Sequence, residues 1–94
     1  MLFRSRMTKL EELRVEIDKI DDELIKLFSK RMYLSGKIAE YKKLNKLPIS
    51  DKGRENEKLG YIAEKTDKEL REYTASLYET IFSISKDYQE RLCW

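Results

Sequence analysis

The sequence predicts an all-α fold of three helices, in a chain that forms an intertwined homodimer. Apolar residues recur at steps of three and four through most of the chain, which is the period of an amphipathic helix, and no strand-like alternation accompanies them. The first of these segments contains one glycine and no proline, so nothing breaks it early. It is also too long for the rest of the chain to cover, and an uncovered apolar face calls for a second copy.

The first helix is predicted from Thr8 to about Leu44. Thr8 can cap its first turn, with Glu11 three residues later as the reciprocal partner of a capping box. Pro48 disfavours helix at the residue before it and so limits the other end. Such a helix would be roughly 55 Å long, whereas a compact globule of 94 residues has a radius of gyration of about 12–13 Å. Its apolar seam consists of Leu10, Leu13, Ile17, Ile20, Leu24, Leu27, Leu34, Ile38 and Tyr41.

Two shorter helices follow a connection at residues 45–50. Ser50 or Asp51 can cap the second helix, which is predicted to extend over about four turns. Thr66 and Glu69 have the spacing of another capping box, which predicts that the third helix begins there. The apolar face of the second helix comprises Leu59, Ile62 and Ala63. That of the third comprises Leu70, Tyr73, Leu77, Ile81, Ile84, Tyr88 and Leu92.

Composition narrows the possible functions. The chain has 20 basic and 18 acidic residues, interleaved to a net charge of +2, which disfavours nucleic acid as the main partner. No membrane span and no signal peptide is expected, because the apolar runs are too short. Histidine is absent and Cys93 is the only cysteine, so we expect no disulfide, no metal and a reducing, cytoplasmic setting. Residues 1–94 are expected to form one domain, with 1–6 as a disordered extension.

One charged residue interrupts the apolar seam. The step after Leu27 reaches Arg31, and burying an unpaired guanidinium there would cost several kcal/mol. Arg31 either snorkels or pairs with an acid at an interface, or it points into a cavity whose ligand supplies the counter-charge. Lys42 lies on nearly the same face, about 20° away, so both side chains can lean toward one pocket. Considered alone, Lys42 is more simply a solvated lysine at a helix end.

Further polar residues lie on or near these faces. Arg14 is too far along the helix to share a site with Arg31 of its own chain; it either pairs with Asp18 or completes the pocket of a second subunit. The others are each explained singly as caps, surface pairs or interface edges, and they are Asp51, Arg54, Glu55, Ser85 and Gln89. Together these groups describe an apolar pocket rich in cations that suits a small dicarboxylate. They include no nucleophile–base pair and no phosphate-binding glycine loop.

Four segments of the sequence resemble the all-α chorismate mutases. They are LRVEIDKIDDELIKLFSKR, KIAEYK, PISDKGRE and SKDYQ. The likeness extends from Leu10 to about Leu92 in the family's spacing, apart from a slightly shorter connection between the second and third helices. The resemblance implies a dimer of interlocked three-helix chains that rearranges chorismate to prephenate without a metal or cofactor, on the branch toward phenylalanine and tyrosine.

The resemblance also implies roles for individual residues. Arg14 of one chain, with Arg31 and Arg54 of the other, would bind the two substrate carboxylates. Lys42 and Gln89 would donate hydrogen bonds to the ether oxygen of the C–O bond that breaks. The resemblance thus predicts four catalytic residues: Lys42, Gln89, Arg31 and Glu55.

Three more residues complete the implied site and separate it from its rivals. Glu55 would accept a hydrogen bond from the ring hydroxyl, with Asp51 and Ser85 as supporting contacts. Isochorismate-pyruvate lyases have a similar fold and a similar cationic pocket but typically lack the acid that matches Glu55. The other alternative is a non-catalytic helical dimerisation module that docks onto another shikimate-pathway enzyme, which would leave Arg31 unexplained.

Overall fold

The computed structural model describes residues 6–93, and within them the chain is helical throughout except for short connections. Most of the extension expected at residues 1–6 lies outside the described residues. The described part contains no strand, so the predicted all-α class is confirmed. No helix within it is long and apolar enough to cross a membrane. The elements are α1 at Lys9–Leu44, α2 at Lys52–Lys65, a 3₁₀ helix at Lys68–Leu70 and α3 at Arg71–Cys93.

The first helix begins and ends where its local signals predict. The backbone N–H of Thr8 donates to Oε1 of Glu11 (2.8 Å), and the N–H of Glu11 donates to Oγ1 of Thr8 (3.1 Å). This reciprocal pair confirms the capping box. After Leu44, Lys46 adopts the left-handed conformation, with φ 55°, which commonly ends a helix. α1 therefore has the long, uninterrupted form that the sequence predicts.

The second helix begins at an aspartate cap. Oδ1 of Asp51 accepts a hydrogen bond from the backbone N–H of Arg54 (3.0 Å), so Asp51, rather than Ser50, is the cap. The predicted narrow apolar face is confirmed, because its three members are the least exposed apolar residues of α2: Ile62 is buried, and Leu59 and Ala63 are half-buried.

The predicted capping box at Thr66 and Glu69 is wrong. The hydroxyl of Thr66 instead donates back to the carbonyl of Ile62 (2.6 Å) and closes the last turn of α2. Because that hydroxyl is occupied, the chain passes through the 3₁₀ helix, whose N-cap Asp67 makes no side-chain capping bond. α3 consequently begins at Arg71.

The chain divides into two structural units between Arg31 and Met32, and burial differs sharply between them. In the first unit every described residue up to Lys30 is exposed. Among the described residues of the second unit, the buried hydrophobic side chains are those of Ala39 and Ile62. The apolar seam is therefore uncovered in this chain, and its members are 49–62% exposed.

α3 packs with a different face from the one its apolar stripe predicts. Five of the seven predicted residues are exposed in this chain, namely Leu70, Tyr73, Leu77, Ile84 and Leu92. The buried face is centred on Ser85 and Gln89, and half-buried Tyr78 and Phe82 extend it through an edge-to-face contact with centroids 6.1 Å apart. These positions also recur at steps of three and four, so α3 has two helical faces, and the more polar one packs inside the chain.

Candidate active site

A buried polar cluster links the C-terminal part of α1 to α3. It consists of Ser35, Ser85 and Gln89, which are only 4%, 8% and 7% exposed. The hydroxyl oxygens of Ser35 and Ser85 lie 2.6 Å apart, and Nε2 of Gln89 donates to Oγ of Ser35 (2.8 Å). Oε1 of Gln89 is buried and has no hydrogen-bond partner among the described residues. Leaving a buried acceptor unpaired costs about 1–3 kcal/mol, so this oxygen does not contribute to the stability of the fold.

Small side chains on α1 allow the polar cluster to form. Ser35, Gly36 and Ala39 are all buried, at spacings that put them on one side of the helix. A Cβ atom added to Gly36 would lie 3.1 Å from Cδ1 of Leu92 and 3.7 Å from Cε2 of Tyr88, so α3 approaches closely at this point. The close approach lets two short serine side chains meet across the helices.

A half-buried ion pair joins α2 to α3. Oε2 of Glu55 lies 3.0 Å from Nζ of Lys86, and their side chains are 17% and 27% exposed. The other carboxylate oxygen of Glu55 lies 3.6 Å from the exposed ammonium of Lys52. Because Glu55 is in the first turn of α2, the helix dipole also favours its negative charge. The predicted acid is thus fixed in place by two cations.

The other predicted residues of this unit make separate contacts. Nζ of half-buried Lys42 donates to the carbonyl of Ile49 (2.9 Å) in the connection after α1. Arg54 forms an exposed pair with Glu57, with Nη1 and Oε1 3.0 Å apart. Asp51 is engaged as the α2 cap. The structure therefore joins Ser85 and Gln89 in one hydrogen-bonded cluster, whereas the contacts of Lys42, Asp51 and Arg54 are with other groups.

Two predicted arginines belong to the first unit. Arg14 is exposed, and the surface pair with Asp18 is not formed. Arg31 is half-buried, and neither guanidinium has an ion-pair partner in the described part of the chain. Among the side chains that the structure describes, no group of three or more acidic residues is placed to hold a metal ion.

Two residues near these groups were not predicted from the sequence, Ser35 and Lys86. Ser35 could have been identified from the sequence, because Ser35, Gly36 and Ala39 are small residues on one side of α1, and small residues allow a second helix to approach closely. Lys86 could not have been, because it is one of 20 basic residues and its pairing with Glu55 depends on how α2 and α3 pack. Each contacts a predicted site residue: Ser35 contacts Gln89, and Lys86 contacts Glu55.

The helical fold and its polar cluster define a small bundle with a buried amide, and comparison with known proteins identifies its family. The chain belongs to the chorismate mutase type II family, which matches residues 13–90. A protein named "Chorismate mutase" from Methanocaldococcus jannaschii is 37% identical over 86 residues, which cover 89% of this chain and 83% of that protein. No solved structure matches the chain significantly.

Two further relatives are much longer than this chain. The "T-protein" of Haemophilus influenzae is 36% identical over 84 residues, or 79% of this chain and 22% of that protein. The "Bifunctional chorismate mutase/prephenate dehydratase" of Aquifex aeolicus is 45% identical over 51 residues, or 54% of this chain and 14% of that protein. The chain therefore spans less than a quarter of the length of these two relatives.

Proposed function

We propose that this chain is a chorismate mutase that converts chorismate to prephenate in the cytoplasm, in aromatic amino-acid biosynthesis. Membership of the family supports the reaction class. The observation that carries the proposal is the buried side-chain amide of Gln89. Its NH₂ group is a neutral hydrogen-bond donor, and its own oxygen, Oε1, has no hydrogen-bond partner among the described residues. Such an amide contributes little to stability, but it suits a site that must donate a hydrogen bond at any pH.

The proposed reaction makes few chemical demands on the protein. A Claisen rearrangement is unimolecular, and one C–O bond breaks as one C–C bond forms, with no nucleophile, general base or cofactor. The protein has to hold the enolpyruvyl arm over the ring in a reactive conformation. It also has to stabilise the negative charge that develops on the ether oxygen, and fixed donors in a dry site do this well.

Two donors are assigned to the ether oxygen, Lys42 and Gln89. Nε2 of Gln89 carries two hydrogens, and Ser35 accepts only one of them, which leaves the second for substrate. Lys42 now donates to a neutral carbonyl, that of Ile49. A bond from its ammonium to an oxygen that gains charge would be stronger than this one, so the exchange favours the transition state.

Arginines are assigned to the carboxylates of the substrate. The planar guanidinium can bind a carboxylate through two parallel hydrogen bonds, which fixes orientation as well as charge. Arg31 and Arg54 of one chain and Arg14 of a second take these roles. The present pairing of Arg54 with Glu57 is exposed, and such surface pairs are worth about 0–1 kcal/mol, so substrate can displace it at little cost.

The ring hydroxyl of the substrate is assigned to Glu55. Its carboxylate can accept a hydrogen bond while Lys86 continues to hold it, because each oxygen has more than one acceptor position. Asp51 and Ser85 support the site, the first by fixing the start of α2 and the second through the polar cluster. This acid is also the feature that favours a mutase over an isochorismate-pyruvate lyase.

The active form is proposed to be an intertwined homodimer. The exposed apolar seam supports it, together with a core in which buried polar side chains outnumber buried hydrophobic ones among the described residues. A second copy would cover the seam and bring Arg14 to the other subunit's site. Mixing the inactive variants Arg14→Ala and Lys42→Ala should restore part of the activity, since some heterodimers then carry one intact site. No recovery after verified subunit exchange would contradict this sharing.

One assay tests the proposed function. Purified protein is incubated with chorismate and separately with isochorismate, and the products are identified. Prephenate from chorismate is the expected result. Release of pyruvate from isochorismate alone would identify the lyase, and a folded dimer that consumes neither substrate would identify a non-catalytic dimerisation module.

A further inference from the structure

We propose that Ser35 is a positioning residue that orients the side-chain amide of Gln89 for catalysis, an inference that rests on the proposed function. Ser35 is 4% exposed, and its hydroxyl is the hydrogen-bond partner of Nε2 of Gln89 within the described residues. Ser35 does not contact substrate in this proposal. It acts through Gln89, by deciding which way the amide faces.

The geometry of an amide gives this contact its importance. The torsion that rotates a glutamine amide is broad and roughly two-fold, so a free amide readily exchanges the positions of its oxygen and nitrogen. An amide oxygen facing the ether oxygen would repel the charge that develops there. Because Ser35 accepts one hydrogen of Nε2, it fixes the amide plane, and the second hydrogen then points in a defined direction.

The contact with Ser85 determines whether the hydroxyl of Ser35 presents its lone pairs or its hydrogen to Gln89. The two hydroxyl oxygens are 2.6 Å apart, and either one can donate. When Ser35 donates to Ser85, the lone pairs of Ser35 are left facing Nε2 of Gln89, which favours its NH₂ group over its oxygen. In that arrangement, the bond between the serines selects the amide orientation that can donate to substrate. The simpler alternative is that a serine is present only because a small residue is needed between α1 and α3.

The substitution Ser35→Ala separates these explanations, since it removes one oxygen and keeps the side chain small. We expect kcat to fall about 2- to 10-fold, the value of one lost hydrogen bond, with KM nearly unchanged because the carboxylate contacts remain. In a Gln89→Ala background the same substitution should have no further effect on kcat. Ser83→Ala is the matched control, because it removes an exposed hydroxyl from α3. A purely structural Ser35 would give equal losses in both backgrounds.

A second measurement does not depend on turnover. In Gln89→Glu, the hydroxyl of Ser35 can donate to the introduced carboxylate and lower its pKa. Adding Ser35→Ala should therefore raise the pKa of the introduced carboxyl by about one unit, measured by carbon-13 NMR. Only the protonated carboxyl can donate a hydrogen bond to the ether oxygen, so activity of the double variant should extend to higher pH by the same amount.

The outcomes distinguish this inference from the proposed function. Equal carboxyl titrations with and without Ser35 would overturn the role of Ser35, even if chorismate is turned over normally. A shifted titration in a chain that never converts chorismate would instead overturn the proposed function, and with it the catalytic meaning of the contact. Unfolding of Ser35→Ala, monitored by circular dichroism, would overturn the positioning role in favour of a packing role.

Discussion

In both units of this chain apolar residues recur at helical spacing, but the units differ in which residues they bury. Up to Lys30 the first unit is a helix whose every described residue is exposed, although it contains most of the apolar seam. Among the described residues of the second unit, three buried side chains are polar, Ser35, Ser85 and Gln89, and two are hydrophobic, Ala39 and Ile62. Apolar residues are outside and polar ones inside, which is the reverse of an ordinary monomeric core.

This difference in burial separates the region proposed for assembly from the region proposed for catalysis. A long apolar seam left in solvent would be unfavourable, and the proposed association with a second copy would cover it. A buried hydrogen-bonded cluster with an unpaired acceptor would be a poor source of stability, which agrees with the catalytic role proposed for Gln89 in the second unit. Each of the following predictions tests one side of that comparison.

The largest expected effect is on turnover. Arg31→Ala and Lys42→Ala should each reduce kcat/KM at least about 10²- to 10³-fold, because each removes a cation from the proposed site, which has to stabilise negative charge. The helical content, measured by circular dichroism, and the oligomeric state, measured by sedimentation, should be those of the unchanged protein. Lys43→Ala is the matched control, since it removes an exposed lysine next to Lys42 on α1. Near-normal turnover in either variant would contradict the site assignment.

The next effect concerns assembly through the first unit. Leu24→Lys places a charge in the apolar seam, and burying it unpaired in a dimer would cost several kcal/mol. We expect dissociation to monomer or loss of helical structure, measured by sedimentation equilibrium and circular dichroism. Glu23→Lys, at an exposed position outside the seam, introduces the same residue and should leave the dimer intact. A fully dimeric Leu24→Lys protein would show that the seam is not the interface.

A smaller effect is expected where α1 meets α3. Gly36→Leu should destabilise the protein by about 1–3 kcal/mol in denaturant unfolding, because even a Cβ atom there lies 3.1 Å from Leu92. Gly36→Ala should be nearly neutral, since the flexible end of Leu92 can move and alanine favours the helix by about 0.8–1.0 kcal/mol.

Gly60 provides the control for this packing effect. It lies in α2 with nothing within 4 Å of an added Cβ atom. Gly60→Leu should therefore be tolerated or stabilising. If Gly36→Leu were equally well tolerated, the close approach that forms the polar cluster would be excluded.

The bounds of the helices were predictable because their signals are local. The caps at Thr8 and Asp51 depend on partners three residues away, so the sequence contains both halves of each contact. The error at Thr66 has the same origin, because its hydroxyl can serve the start of one helix or the end of another. Both alternatives use partners three or four residues away, so the local pattern does not choose between them.

The candidate site was less predictable because its contacts are distant in sequence. Ser85 and Gln89 were identified by resemblance, yet the partner that joins them, Ser35, is 50 residues from one and 54 from the other. Lys86 and Glu55 likewise meet only when α2 packs against α3. Residue types and helical faces follow from periodicity, whereas the pairing of side chains across helices requires the packed structure.

The smallest expected effect lies at the start of the first unit, where stability is local. Hydrogen bonds from the backbone N–H of Thr8, and then from its hydroxyl, hold the pKa of Glu11 below its ordinary value of 4.5. Because the folded pKa is lower than the unfolded one, this contribution is present above pH 4.5 and is lost as the pH falls through the folded pKa. Glu11→Gln should therefore lower the melting temperature slightly at pH 7, and the difference should shrink in acid. Glu12→Gln is the control, because it changes an exposed neighbour outside the capping box and should show no such pH dependence. If Glu11→Gln lowered the melting temperature equally at pH 7 and in acid, the capping contribution would come from geometry rather than from charge.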